Sequence, residues 1–179
     1  EHVKRELEKL GVKTSILVAN ASLMENLNRV KPDLCINFVD SIRGSAPMSA
    51  GIPGIFDLLG IPYVGAGTLA LSLNSNKYLT KSLLKTWHLP TPQYQLLRSV
   101  HQELDYDLRF PLIAKLNEEH GSVGISDHSV VTNEKELRDQ VHFLMTAYKQ
   151  PVLIEEYIED ARELTAVVLE SQNTKVFLS

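Results

Sequence analysis

The chain has 179 residues, 44% of them apolar and 22% charged, with a formal net charge of −4 and one cysteine. That length suits one or two domains with a real core, and the interspersed charge gives no electrostatic case for nucleic acid or an anionic membrane as partner. A lone cysteine excludes an internal disulfide and fits a reducing compartment, and no apolar run reaches the roughly 18 residues of a membrane-spanning helix.

The chain opens on a charged segment, residues 2–10, with Val3, Leu7 and Leu10 at helical spacing and Gly11 as a stop. Residues 14–19 are β-rich. Residues 22–30 read as a helix with Leu23, Leu27 and Val30 on one side. After Pro32, residues 34–39 form a nearly continuous apolar run, the pattern of a parallel strand buried on both faces. Cys35 lies in that run with no basic neighbour, so it reads as a small buried hydrophobe rather than a nucleophile. Residues 41–48 are a loop, and residues 52–59 a helix stopped by Gly60. Helix and strand alternating over short links predict a parallel, doubly wound sheet.

Residues 61–64 are a second apolar run, which meets the turn Gly65-Ala66-Gly67 and a leucine-rich segment. Asn74-Ser75-Asn76 then favours a helix start. The helix carries Lys77, Lys81 and Lys85, four apart and so on one face, and must end by Pro90. Spacing alone describes these lysines as a solvated surface.

Further on, residues 91–97 read as a strand, residues 99–107 as a polar helix, and residues 110–115 as a strand ending in Lys115. Residues 117–125 are a polar loop with two glycines. Such a loop after a lysine can wrap phosphates, since glycine lets backbone N–H groups approach and lysine supplies a point charge. A β-hairpin with a surface lysine explains it as well. Residues 129–132 return as a strand. Asn133 with Glu136 reads as a capping box opening a helix to Tyr148, with Leu137, Val141, Leu144, Met145 and Tyr148 on its core face. Residues 152–158, 163–169 and 175–178 read as strands, and alternation places Glu155 and Tyr157 on an outward face.

GIPYVGAG, NKYLTKSLL and LPTP, in that order and spacing, resemble the D-alanine–D-alanine ligase family of ATP-grasp enzymes. KPDLCINFVDS resembles the family's Pro-Asp-Val-Val-Phe-Asn strand, and VLIEEYIEDARELTAVVLE its Val-Leu-Val-Glu…Glu-Leu-Thr segment, with one residue inserted in the turn. Departures are Asn76 for Asp, His88 for Gly, Leu116 for Pro, and His120-Gly121 for Gly-Ser. Residues 46–50 carry no carboxylate where the family has Gly-Glu-Asp-Gly, and specificity follows such charged partners.

The resemblance implies an α/β fold: a Rossmann-like parallel-sheet domain over residues 1–73 and an ATP-grasp domain over residues 74–179. It further implies that the chain starts inside the family's first helix and lacks the second half of the ATP-grasp domain. ATP would be held by Lys77, by Lys115 on the α- and β-phosphates, and by Ser122 at the end of a mobile loop. Glu155 would accept from the adenine amino group. The backbone of Glu156, Tyr157 and Ile158 would bond the ring edge, with Tyr157 packing beside it, and Glu163 would take the ribose hydroxyls.

No catalytic or metal residue is assigned within the chain. The ligands of Mg²⁺ and the catalytic groups are expected beyond Ser179, which implies no ligase activity for these residues alone. The implied parent is a cytoplasmic ATP-dependent carboxylate–amine ligase of peptidoglycan synthesis. It would act on ATP and small amino acids through an acylphosphate, and the reading admits a homodimer. The alternatives are an ATP-grasp ligase for another amino or hydroxy acid, and a non-catalytic nucleotide-binding module.

Overall fold

The computed structural model describes residues 1–171 and 174–178. Apolar spacing of 3.6 builds the first helices where the sequence puts them: α1 (His2–Lys9) and α2 (Leu23–Val30). Leu23 and Leu27 of α2 join Ile52 and Phe56 of α3 (Gly51–Leu59) in a first apolar cluster, against which Cys35 and Tyr63 pack. Gly60, at φ 67°, supplies the left-handed residue that ends α3. Burial pushes the Cys35 thiol up, away from the thiolate, in keeping with a packing role.

Strands β1 (Cys35–Ile36) and β2 (Tyr63–Val64) pair in parallel, Cys35 opposite Tyr63. The sequence run around β1 is longer than the strand, and it is not buried on both faces: Leu34 is 52% exposed and Phe38 67%. Among the described residues β1 has one ladder partner, so its pairing stops after two residues. The β-rich stretch 14–19 forms no strand at all, with Ile16 and Val18 exposed. Propensity alone does not make a strand; backbone groups need a ladder to pair with.

Helices α4 (Thr68–Asn74) and α5 (Lys77–Thr86) follow. The Asn76 Oδ1 accepts from the Leu79 N–H at 3.0 Å, so the helix start read from Asn74-Ser75-Asn76 is an asparagine cap.

The larger sheet contains β3 (Tyr94–Leu97), β4 (Leu112–Leu116), β5 (Val130–Val131) and β6 (Val152–Glu156). Its order is β3-β6-β4-β5, antiparallel throughout. Helix α6 (Glu134–Tyr148) covers one face with Leu137, Val141 and Leu144. The strands answer with Leu97, Leu112, Ala114, Leu116, Val152 and Ile154, all buried. Burying each large side chain of this kind contributes about 1.5–3 kcal/mol. Alternation then sends Ile113, Lys115, Leu153 and Glu155 to the opposite face.

Residues 99–107 form turns rather than the expected helix. Their backbone groups are bonded by side chains from elsewhere. Arg138 donates to the carbonyls of Val100 and Gln102, each at 2.7 Å, and the Gln95 amide bonds Glu103 O and Asp105 N. Helical i to i−4 bonding cannot compete for groups already held.

The strand expected over residues 152–158 ends at Glu156, and the one expected over 163–169 begins later, as β7 (Val167–Ser171). It pairs antiparallel with β8 (Thr174–Leu178). No helix among the described residues is long and apolar enough to cross a membrane.

Candidate functional site

Charged side chains gather on the sheet face opposite α6. Glu155 is the hub. Its register partners are Tyr94 on β3 and Ile113 on β4, so Lys115, two residues along β4, is its diagonal neighbour on the same face. The Lys115 ammonium bonds the Glu155 Oε1. From α5, Lys81 Nζ reaches the Glu155 Oε2 at 2.6 Å, donates to Thr91 Oγ1 at 2.5 Å, and lies 5.1 Å from the centroid of the Tyr94 ring. Glu155 and Lys81 are both buried.

Lys77, the first residue of α5, donates its ammonium to the carbonyls of Leu116, at 2.9 Å, and Glu119. It therefore stands next to the end of β4, where Lys115 is, and the two ammonium charges repel. Lys77 and Lys115, far apart in sequence and each given an ATP role by the family resemblance, are neighbours.

Asn117 fixes this junction. Its carbonyl accepts from the Lys77 N–H at 3.0 Å and its Oδ1 from the Tyr78 N–H at 2.9 Å, with the residue 2% exposed. Together with the Asn76 cap, these bonds satisfy the first three N–H groups of α5. The helix terminus is thus not free to bind an anion through its backbone; only the lysine side chains offer positive charge there.

The electrostatics follow from burial. Burial drives the Glu155 carboxyl upward, but hydrogen bonds from Lys115 and Lys81, and the charge on each, outweigh it and hold the pKa below the ordinary value. Lys77 moves down, chiefly through burial and then through repulsion by Lys115, with Glu119 and Glu155 pulling the other way. Three ammonium groups thus share Glu155 and the more distant Glu119 carboxylate. The arrangement carries unspent positive charge of the kind that binds phosphoanhydrides electrostatically.

The other residues singled out in the sequence lie farther out. Ser122 is exposed, at φ 61°, in the loop 117–125, where its carbonyl accepts from Ile125 N–H. Glu156 accepts from the Arg109 N–H at 3.0 Å. The N–H groups of Glu156 and Tyr157 go to the carbonyls of Gln93 and Pro111. Tyr157 and Ile158 are 41% and 58% exposed just past the end of β6. Glu163 is exposed in the irregular segment before β7, and among the described residues no hydrogen bond ties it to the lysine cluster.

Two members of the cluster, Lys81 and Asn117, carry little signal in the sequence. Lys81 was visible only as one of three lysines on a face expected to be solvated. In the structure that description fits Lys85, which is exposed, and not Lys81. Asn117 carried no signal beyond its place directly after a strand.

An open groove of about 360 Å³, lined by Tyr78, Lys85, Tyr94 and Arg98 among others, contains neither Glu155 nor the lysines around it. Among the described residues, no group of three His, Cys, Asp or Glu side chains is placed to hold a metal ion.

The family profile described as D-ala D-ala ligase C-terminus matches residues 83–179. The D-alanine–D-alanine ligase of Carboxydothermus hydrogenoformans is 28% identical over 187 residues, covering 93% of this chain and 58% of the relative. A crystal structure of the D-alanine–D-alanine ligase of Helicobacter pylori is similar with a TM-score of 0.61 at 28% identity, over 72% of this chain and 39% of that one. The Bacillus anthracis D-alanine–D-alanine ligase complexed with ATP has a TM-score of 0.62 at 21% identity, over 95% of this chain and 60% of that one. This chain spans about half the length of the curated relatives it matches.

Proposed function

The chain belongs to the D-ala D-ala ligase C-terminus family, and on that premise we propose that it carries the phosphate-holding part of an ATP-dependent carboxylate–amine ligase. One observation carries the proposal. Lys81 and Lys115 close from α5 and β4 on the buried carboxylate of Glu155, and Lys77 stands beside them at the end of β4. In this reading residues 1–73 are the Rossmann-like domain and residues 74–179 belong to the ATP-grasp domain. Lys115 and Lys77 hold the phosphates, and Ser122 lies in the loop that closes over them. Glu155 faces the adenine amino group, with Tyr157 beside the ring, Glu156 and Ile158 along its edge, and Glu163 on the ribose.

ATP fits the donor set, because the excess positive charge matches a polyphosphate and the exposed Tyr157 and Ile158 offer an apolar surface for a purine. Mg²⁺, when bound, would neutralise phosphate charge, and among the described residues no group of three His, Cys, Asp or Glu side chains is placed to hold it. The reaction class is transfer of the γ-phosphoryl group to a carboxylate, followed by attack of an amine on the acylphosphate. This chain's part is to bind the polyphosphate, orient it and balance its charge. The substrates of the whole protein are small amino acids. The reading places that protein in the cytoplasm, in peptidoglycan synthesis, and admits a homodimer. Residues 46–50 form a carboxylate-free 3-10 turn and its lead-in, so D-alanine as the amino acid rests on the family match and not on this turn.

Thermal unfolding of the 179-residue chain with and without ATP–Mg²⁺ tests the nucleotide reading. A ligand at one hundred times its Kd adds about 2.7 kcal/mol to the native state, a clear rise in Tm. Lys115→Met should abolish the rise. No protection of the wild-type chain, or equal protection by inorganic sulfate, sinks the assignment.

A further inference from the structure

We propose that Lys81 is a positioning residue: it is the fixed counterion of Glu155, keeping that carboxylate ionised and aimed so that Lys115 is free to exchange Glu155 for a phosphate. The proposal's purpose rests on the nucleotide reading above; its geometry does not.

The two lysines on Glu155 are not equivalent. Each takes a different carboxylate oxygen, Lys81 the Oε2 and Lys115 the Oε1. The Lys81 side chain is 10% exposed, against 28% for Lys115. Lys81 has two further partners, the Thr91 hydroxyl and the Tyr94 ring. Among the described residues, Lys115 bonds no side chain but Glu155. A buried ammonium held on three sides is costly to release, because each broken contact leaves a desolvated polar group. A more exposed ammonium with one side-chain partner is cheap to release. An incoming anion would therefore draw off Lys115 and leave Lys81.

Glu155 needs the second lysine for the same reason. It is buried, and with Lys115 gone a lone carboxylate there would take up a proton. A protonated Glu155 donates where a carboxylate accepts, so its recognition of an amino group would reverse. The groups facing Glu155 are Lys81 and Tyr94 from α5 and β3, and Lys115 from β4. Lys77 adds a more distant positive charge, itself offset by Glu119. Lys81 is the one of these cations whose geometry does not depend on the phosphate site.

The test is the titration of the Glu155 carboxyl carbon by NMR in the ¹³C-Glu-labelled chain, without nucleotide. Lys81→Met should raise the Glu155 midpoint by about one pH unit or more, leave the surface glutamates unmoved, and be reversed by Lys81→Arg. A Glu155 midpoint that stays in place in Lys81→Met overturns the assignment. Should Lys81→Met not fold, the double variant Lys81→Met/Glu155→Gln decides. It folds if the unpaired carboxylate was the fault, and its failure to fold makes Lys81 a packing residue and also overturns the proposal. ATP–Mg²⁺ binding by the wild-type chain is measured in parallel. Absence of that binding in the wild-type chain, with the Glu155 midpoint shifted in Lys81→Met, rejects the nucleotide reading and leaves the counterion assignment standing.

Discussion

Glu155 is costly to bury and costlier to remove. It is 9% exposed, and two ammonium groups close on it from different elements. Glu155→Ala leaves the buried Lys81 without its carboxylate, and breaking a buried pair from one side costs about 3–5 kcal/mol. Urea denaturation should show that loss as a lower midpoint with the slope unchanged. The pH dependence has a definite sign. The Glu155 pKa is lower folded than unfolded, so its contribution is complete above the unfolded value of about 4.3 and is lost as pH falls through the lower folded value. The wild-type advantage over Glu155→Ala should therefore shrink only in acid. A constant difference from neutral pH down to acid would show that the ion pairs contribute nothing. Lys77, Lys115 and Glu155 were readable because they sit in motifs of recognisable order. Lys81 was not, because a period of four says which residues share a helix face, not what covers that face.

Single elements are stabilised by local chemistry that sequence does disclose. The Asn133 Oδ1 accepts from the Glu136 N–H at 3.0 Å, as the Asn-Glu spacing requires, while the Glu136 carboxylate reaches back to the Thr132 N–H at 2.8 Å. Asn133→Ala should cost about 1 kcal/mol. At the other end of α6, Lys149 sits at φ 56° without the glycine that usually takes this position. Lys149→Gly should stabilise by roughly 1 kcal/mol, since a side chain in the left-handed region is strained by about that much. Paired thermal melts of the two variants should move in opposite directions, and a shift of the same sign would contradict the capping account. Helices with both period and cap were legible. Residues 99–107 were not, because the donor that holds their carbonyls is Arg138, on α6, a partner no local window contains. Residues 14–19 have β propensity but form no ladder, and the presence or absence of a ladder partner is likewise not written in a local window.

At the scale of the whole molecule, the loop 117–125 is tied at both ends and loose between them. Asn117 bonds the start of α5, and Glu118 N–H is held by the Gln150 side chain at 2.8 Å. Gly124, at φ 75°, lies so close to Leu116 and Leu144 that an added Cβ would meet Leu116 Cδ1 at 2.9 Å, so only glycine fits that anchor without displacing the core. Between the anchors Gly121, Ser122 and Val123 are exposed. Amide exchange should therefore be fast at Gly121 and Ser122 and slow at Asn117, and ATP–Mg²⁺ should protect the exposed residues most. Uniform protection along the loop without nucleotide would count against a closing role.

The opposite faces of the larger sheet have a consequence for how the chain finds its fold. Side chains alternate along a strand, so a slip of β6 by one residue would carry Glu155 into the apolar layer under α6 and bring Ile154 out to the lysines. That layer is built of Leu97, Leu112, Leu137, Val141, Leu144 and other apolar side chains, and an unpaired carboxylate among them is strongly disfavoured. The same charges that face the proposed phosphates thus reject the neighbouring pairings of β6 as the sheet assembles. A variant made entirely apolar at Lys81, Lys115 and Glu155 would still have a core to collapse around, but little left to tell one alignment of that strand from the next.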